Sequence, residues 1–298
     1  MTVPQTPDYL AIGHITIDLL PDGGQALGGS ALYAALTAAR FGLRAAILTR
    51  GDFARAGRHL DEALRQVAAE VEIIAQSASA ATTFRNTTIA GRRHQEIHAW
   101  AGPIDVNGLP PAWRSARVVH LAPVAQEIEP RQVGRLHPGY LGATPQGWMR
   151  QWSPARDGLV SLEQLRLPPD TLSRIDALVL SSSEQSLARD AIDAVSRRGL
   201  VAITRGAEPA HLIDRGRSIE IPAYPVRVVD DTGAGDVFAA VLFLLRADVT
   251  PVSVAARTAA AAAALRLQSG IGPEAIPTRA QVEEFLAVAE QSARGRRP

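Results

Sequence analysis

The sequence contains no cysteine and no lysine. The first absence excludes disulfides, thiolate nucleophiles and cysteine-based zinc sites. The second excludes a P-loop, a strand lysine of the protein-kinase kind and Schiff-base chemistry, each of which needs an amine. All the basic charge is arginine, so any phosphate must be held by backbone N–H groups, arginine and metal. Charge of one sign is also missing: the net charge is +1, which argues for neither nucleic acid nor an anionic membrane as partner. Aromatics make up 5% of the chain. No apolar run reaches the length of a membrane span, and the opening MTVPQTPD has neither a basic region nor an apolar core of the secretory kind. A cytoplasmic location is expected. The seven histidines show no metal-ligand spacing, and no Ser-His-Asp arrangement can be argued from their order.

What is present is an ordinary globular composition, 46% hydrophobic and 20% charged over 298 residues, enough for a single large domain. Continuous apolar runs at 9–15, 44–49, 71–75, 117–122, 176–181 and 200–204 predict strands. Helical patterns are expected at 29–41, 56–69, 184–198, 235–246, 251–268 and 279–290. Apolar strands alternating with helices predict βαβ units and a mostly parallel sheet covered on both faces. The alanine-rich stretch 259–267 predicts a close-packed core helix. One region breaks the alternation: TTFRNTTIAG (82–91) and RHQEIHAW (93–100) are polar and alternating around a glycine turn. They predict a β-hairpin outside the main sheet.

The most informative stretch is DTGAGD, Asp231 to Asp236, followed at once by the apolar run VFAAVLFLL. Gly233, Ala234 and Gly235 are small enough for successive backbone N–H groups to turn toward one point. A helix N-terminus with bare donors is an anion site. A structural turn that caps a core helix has no need of the carboxylate that closes this one. A site that moves a phosphoryl group to a hydroxyl does: the donors hold developing negative charge and Asp236 takes the hydroxyl proton.

DDTGAGDVFAA resembles the C-terminal signature of the ribokinase-like (PfkB) carbohydrate kinases. A second match combines AIGHITIDLL (11–20) with GGSALYAALTAARFG (28–42). A third, IPTRAQVEEFL (276–286), resembles the closing helix of that family. The resemblance spans nearly the whole chain in the right order. It implies a three-layer α/β/α fold formed by one domain over 1–298, with a small β lid inserted at about 19–27 and 82–100. It also implies ATP-dependent phosphorylation of a hydroxyl on a small polyol or sugar, with Mg²⁺, and a homodimer through the lid.

On this resemblance Asp236 is the catalytic base, and Gly233, Ala234 and Gly235 form the anion hole. Asp18, at the end of the first strand, would accept hydrogen bonds from acceptor hydroxyls, with Gly28 and Gly29 allowing close approach. Ser30 reads as a helix cap. Further acceptor candidates are Arg85, Asn86 and Gln95 in the lid, and Gln146 and Arg150 after the strand at 139–143. On the nucleotide side Thr204 and Gly206 match the Thr-x-Gly turn of the family, while Glu208, Pro209 and Ala210 replace its second glycine. LSSSEQS (180–186) replaces its Asn-x-x-Glu. Glu184 could orient magnesium through water or could be a first-turn helix residue. Asp231 could bind magnesium or face water, and the solvated role is favoured. Ala260 stands where many relatives carry an Asn on the adenine side.

The local matches GGSALY, TTFRN with GRRHQ, and Gln146-Gly147 with Arg150 lean toward the inositol-kinase branch. Tyr33, Phe84, Trp100 and Trp148 could instead build a slot for a nucleoside base. A nucleoside kinase and a non-catalytic ligand sensor on the same fold are the alternatives. A dinucleotide-binding oxidoreductase would need a glycine-rich turn directly after the first strand, and Gly28 comes too late.

Overall fold

A computed structural model describes residues 5–53, 58–89, 92–153, 155, 157–270 and 272–295. Residues are apolar for long runs because the sheet they build is covered on both sides. In chain order the first half contains β1 (Tyr9–Ile12), β2 (Thr16–Leu19), β3 (Gln25–Gly28), α1 (Ser30–Arg40), β4 (Ala45–Arg50) and α2 (Arg58–Glu70). There follow β5 (Val71–Gln76), β6 (Thr82–Ile89), β7 (Arg92–Ala99), β8 (Val118–Leu121), β9 (Tyr140–Ala143) and α3 (Gln146–Met149). The second half contains β10 (Arg150–Gln151), β11 (Ser161–Leu162), α4 (Pro169–Leu172), β12 (Ala177–Ser181), α5 (Ser182–Gln185), α6 (Arg189–Ser196) and β13 (Leu200–Arg205). It closes with β14 (Glu208–Asp214), β15 (Arg217–Ile221), α7 (Ala234–Ala247), α8 (Val252–Gln268) and α9 (Arg279–Gly295).

Nine strands form the main sheet in the order β15-β14-β13-β12-β9-β8-β1-β4-β5. Every pairing from β13 to β5 is parallel, and β14 and β15 add an antiparallel edge. Strand side chains alternate between two cores. Tyr9, Ala11, Ile47, Val179 and Ala202 join one cluster with α1, α7 and α8. Leu10, Ile12, Leu48, Leu180 and Ile203 join the other with α6 and the loops around Trp113. This is the expected three-layer α/β arrangement with helices on both faces.

The alanines of α8 serve close approach: Ala255, Ala256, Ala259, Ala261 and Ala262 are buried against α7 and its neighbours. Among the described residues no helix is long and apolar enough to cross a membrane.

Strands β3-β2-β6-β7 form a separate four-stranded sheet. The hairpin expected over 82–100 is β6 and β7, which pair antiparallel from Thr83–Ala99 to Ile89–Arg92. Its expected turn at Gly91 lies outside the described residues. β2 joins β6 in parallel, Asp18 opposite Phe84.

Two expectations change. The first strand was expected to run to residue 15 but leaves the main sheet after Ile12. A Cβ at Gly13 would come 2.2 Å from the Ala122 carbonyl oxygen, so the chain passes too close to β8's end for an ordinary strand residue. Asp18 therefore belongs to the second sheet and not to the tip of β1. The single helix expected at 184–198 is two, α5 and α6. The Leu187 carbonyl between them accepts from the Leu165 N–H (2.8 Å), a tertiary bond that takes the place of helical continuation.

Candidate active site

The two sheets and the ends of α1 and α7 enclose one elongated cavity of about 760 Å³. Its walls carry residues from the C-terminal ends of the parallel strands, where open α/β sheets place ligands.

At the centre is the turn before α7. Gly233 is the N-cap, at φ +77°, and has no side chain with which to cap the helix. A Cβ there would also lie 2.6 Å from the Tyr33 ring, so the position excludes other residues on both conformation and space. The first-turn amide of Gly235 has no acceptor within the helix, and Gly235 lines the cavity with Gly233, Ala234 and Asp236. Uncapped donors and the positive end of a 14-residue helix make this the point of the cavity best suited to an anion. Asp236 sits in that same first turn, half-buried and on the cavity wall. Asp231 is exposed and lines the same cavity.

Toward the second sheet the lining becomes polar. Asp18 accepts a hydrogen bond from Thr16 Oγ1 (3.2 Å). Alternation on β6 puts Phe84 and Asn86 on the cavity side and Arg85 on the other. Arg85 is exposed, with its nearest carboxylate, Glu96, at 3.9 Å, and does not line the cavity. Gln95 on β7 donates to Asn86 Oδ1 (2.8 Å), so the two amides form a fixed pair.

From the far side Gln146 Nε2 donates to Ser30 Oγ (2.5 Å), and Arg150 donates to Gln146 Oε1 (2.8 Å) and the Val124 carbonyl (2.8 Å). Arg150 also lies over the Phe84 ring at 5.5 Å. Ser30 is thus not the helix cap: Gly29 holds that position at φ +101°, and the Ser30 hydroxyl is taken by Gln146. A Cβ at Gly29 would meet the His14 carbonyl oxygen at 2.3 Å. Gly28 lies behind the wall; a Cβ there would come 2.3 Å from Asp18 Oδ2 and displace that carboxylate.

Another part of the wall is apolar. Pro222, Ala223, Tyr224, Ala260, Ala263 and Leu267 form a slot with no charged side chain among them. Thr204 and Gly206 line the cavity near it, with Gly206 in the turn between β13 and β14 at φ +62°. Glu184 also lines the cavity, but its carboxylate closes a capping box: Oε2 accepts from the Ser181 N–H (2.7 Å) and hydroxyl (2.8 Å). Among the described residues no cluster of three His, Asp or Glu side chains could hold a metal ion.

Buried groups below the wall hold it in place. Glu127, fully buried, accepts from the backbone N–H groups of His14, Val124 and Ala125 and so fixes the Val124 loop. His120 bridges Tyr9 Oη (2.8 Å) and Thr144 Oγ1 (3.0 Å), and burial pushes its pKa down to about 3. Burial lowers the His14 pKa as well, against the pull of Glu127. Burial raises Tyr33 to about 12.

Sequence reasoning singled out the glycine turn and the polar residues Asp18, Asn86, Gln95, Gln146 and Arg150, but missed Thr16, Ser30 as a wall residue, Val124, Thr144 and the apolar Pro222, Ala223, Tyr224, Ala263 and Leu267. Ser30 and Thr144 carry no local signal because their partners, Gln146 and His120, lie far along the chain.

A family model described as pfkB family carbohydrate kinase matches residues 172–279. The chain is 28% identical over 257 residues to a cytidine kinase of Thermococcus kodakarensis, covering 78% of this chain and 86% of that protein. A shorter match, 36% over 85 residues, covers 28% of this chain and 29% of a ribokinase of Bacillus subtilis. Among solved structures, a pyrophosphate-dependent kinase in the ribokinase family, complexed with a pyrophosphate analog and myo-inositol, superposes with a TM-score of 0.74. Its identity is 19%, over 93% of this chain and 99% of that one, a likeness of fold. The glycine turn with its closing aspartate, the doubly covered parallel sheet and these likenesses agree: residues 172–279 match the pfkB family of carbohydrate kinases, and the findings together support a ribokinase-like PfkB kinase, a phosphotransferase.

Proposed function

We propose that the protein transfers the γ-phosphate of ATP to a hydroxyl of a small polyol, with an inositol-like ring favoured. The observation that carries this reading is the position of Asp236. It closes a glycine turn on the wall of a cavity that also carries the polar Asp18, Asn86, Gln95, Gln146 and Arg150 and the apolar Pro222, Ala223, Tyr224, Ala260, Ala263 and Leu267. In the reaction, Asp236 accepts the proton of the acceptor hydroxyl as that oxygen attacks the γ-phosphorus. The bond to the ADP oxygen breaks, and the amides of Gly233, Ala234 and Gly235 hold the charge on the transferring group.

ATP fits the donor end. The slot of Pro222, Ala223, Tyr224, Ala260, Ala263 and Leu267 accepts a flat base by shape and apolar contact, and Thr204 and Gly206 lie between it and the turn. Pyrophosphate, used by the structural neighbour, would leave that slot unused. A Mg²⁺ bound with the phosphates would neutralise part of their charge. With Glu184 engaged in its capping box, the protein would supply few ligands, and the ion would have to be held chiefly by the phosphates and water.

The acceptor end supports a polyol. Asp18, Asn86, Gln95, Gln146 and Arg150 converge there, and a ring of hydroxyls needs many fixed polar partners. The base slot that a nucleoside requires is only half available. Tyr33 and Phe84 line the cavity, but Trp148 donates to the Ile128 carbonyl and Trp100 to the Ala125 carbonyl, both outside it. The cytidine kinase likeness favours a nucleoside acceptor as the second reading. The β3-β2-β6-β7 sheet is proposed as a lid that excludes water on closure and as the surface of a homodimer. A cytoplasmic location belongs to the same reading.

The test is an ATP-consumption screen over inositols, sugars and nucleosides. The reading expects myo-inositol or a close polyol to give a higher kcat/KM than ribose, fructose or any nucleoside. Efficient turnover of cytidine or adenosine without inositol activity overturns the acceptor. Asp236→Asn turning over within a few-fold of wild type overturns the site.

A further inference from the structure

Arg266 shares complete burial with Glu127 among the charged residues described: its side chain is 0% exposed, in the last turn of the alanine-rich α8. Burying a guanidinium is costly unless it is fully paired, and an apolar residue of similar volume would serve packing as well. Its partners show what it holds. Nη2 donates to Asp230 Oδ2 (2.6 Å) and Nη1 to the Gly270 carbonyl (3.0 Å). The other oxygen of the same carboxylate, Asp230 Oδ1, accepts from the Thr232 hydroxyl (3.0 Å) and N–H (3.4 Å). The guanidinium also lies over the Tyr33 ring at 5.5 Å, and that ring packs where a Cβ on Gly233 would be. Arg266 therefore reaches the glycine turn by two routes, through Asp230 to Thr232 and through Tyr33 to Gly233.

Charge explains why the residue there is a cation. Asp230, Asp231 and Asp236 place three carboxylates within seven residues, at a turn whose amides are offered to an anion. Asp231 is exposed and solvated, but Asp230 is mostly buried, its side chain 15% exposed. An uncompensated carboxylate in that position would repel a phosphoryl group. A purely local role, the Gly270 contact at the C-terminus of α8, would need neither Asp230 nor Tyr33.

We propose that Arg266 is a positioning residue for phosphoryl transfer: it neutralises Asp230 and fixes the 230–235 turn so that the Gly233 and Gly235 amides can receive the anion. This rests on the reading of that turn as the phosphoryl site. The test compares Arg266→Met, Arg266→Lys, the charge-neutral pair Arg266→Met/Asp230→Asn, and Asp236→Asn. Each is measured for the kcat and KM of both substrates, and for the Kd of Mg·ATP by calorimetry. Arg266→Met should lower kcat/KM for ATP by about 30-fold and weaken Mg·ATP binding by about tenfold or more, with the acceptor KM within about twofold. Arg266→Lys should recover part of both, because the charge is kept and the planar fork is lost. The neutral pair lacks a buried unpaired charge, so it carries the test if Arg266→Met does not fold; it should lie at least about threefold below wild type.

The proposal is overturned if folded Arg266→Met, or the neutral pair, keeps both kcat/KM for ATP and the Mg·ATP Kd within about twofold of wild type. It is also overturned if ATP and acceptor constants shift equally. Wild-type turnover in Asp236→Asn instead overturns the reading of the turn, and leaves the Mg·ATP Kd to decide the role of Arg266.

Discussion

At the turn before α7, the groups facing the cavity are backbone amides and residues adjacent in sequence, Gly233 to Asp236. At the other end Asp18, Asn86, Gln95, Gln146 and Arg150 arrive from four separate segments, and every one of them acts through a side chain. The difference teaches where each half of the reaction is encoded. A backbone site needs permissive residues in a row and so leaves a short motif. A side-chain site can be rebuilt one residue at a time, so it can change acceptor without disturbing the turn.

The comparison is broken most severely at Asp236. Asp236→Asn should lower kcat by roughly 10²–10⁴-fold, with the Mg·ATP Kd changed only slightly. A parallel loss of ATP affinity, read by calorimetry, would mean that Asp236 holds the turn and does not serve as base. Next comes the acceptor end. Asp18→Ala should raise the acceptor KM by about 10–100-fold and leave the ATP KM within about twofold, since buried polar partners that lose their ligand are left unpaired. Steady-state kinetics with both substrates varied check this, and a rise in the ATP KM alone would move Asp18 to the wrong end.

Acid should weaken the scaffold beneath both ends. His120, at about 3, stays neutral in the fold below the unfolded imidazole value of about 6.5. Its folded pKa is depressed, so the unfolded chain binds the extra proton and stability falls as pH drops through about 6.5. At pH 5.5 the loss from His120 is about 1.4 kcal/mol relative to neutral pH, and His14 adds a loss of the same sign. Denaturant melts at pH 7.5 and 5.5 measure it, and a flat profile would contradict the burial of these rings.

The smallest effect is expected at Gln146. Gln146→Ala removes the bridge between Ser30 and Arg150 and should raise the acceptor KM about three- to fivefold with kcat nearly unchanged. An equal change in kcat would show that the bridge also positions the reacting groups.

The layers of the fold were legible before any coordinates, because β1, β4, β8, β12 and β13 are apolar on both faces and so announce a sheet with two covered sides. The glycine turn was legible for a related reason: φ +77° and the nearby Tyr33 ring leave only glycine at 233. Arg85 shows where legibility stops. It shares its polar character with Asn86, yet the pleat turns one into the cavity and the other into solvent. Ser30 shows the same limit, because a cap and a wall residue look alike in sequence and Gln146, far along the chain, decides between them.

By itself, then, the sequence determined what is local: strand and helix periodicity, the turn that only small residues can make, and the carboxylate that closes it. Tertiary structure alone decided what is assembled from a distance: the placement of Asp18 on a second sheet, the pairing of Gln95 with Asn86, and the anchoring of the turn by Arg266. The physical reason is range. Backbone conformation and hydrophobic period are properties of neighbouring residues, whereas a hydrogen bond or ion pair between residues 36 or 116 positions apart exists only once the chain has packed.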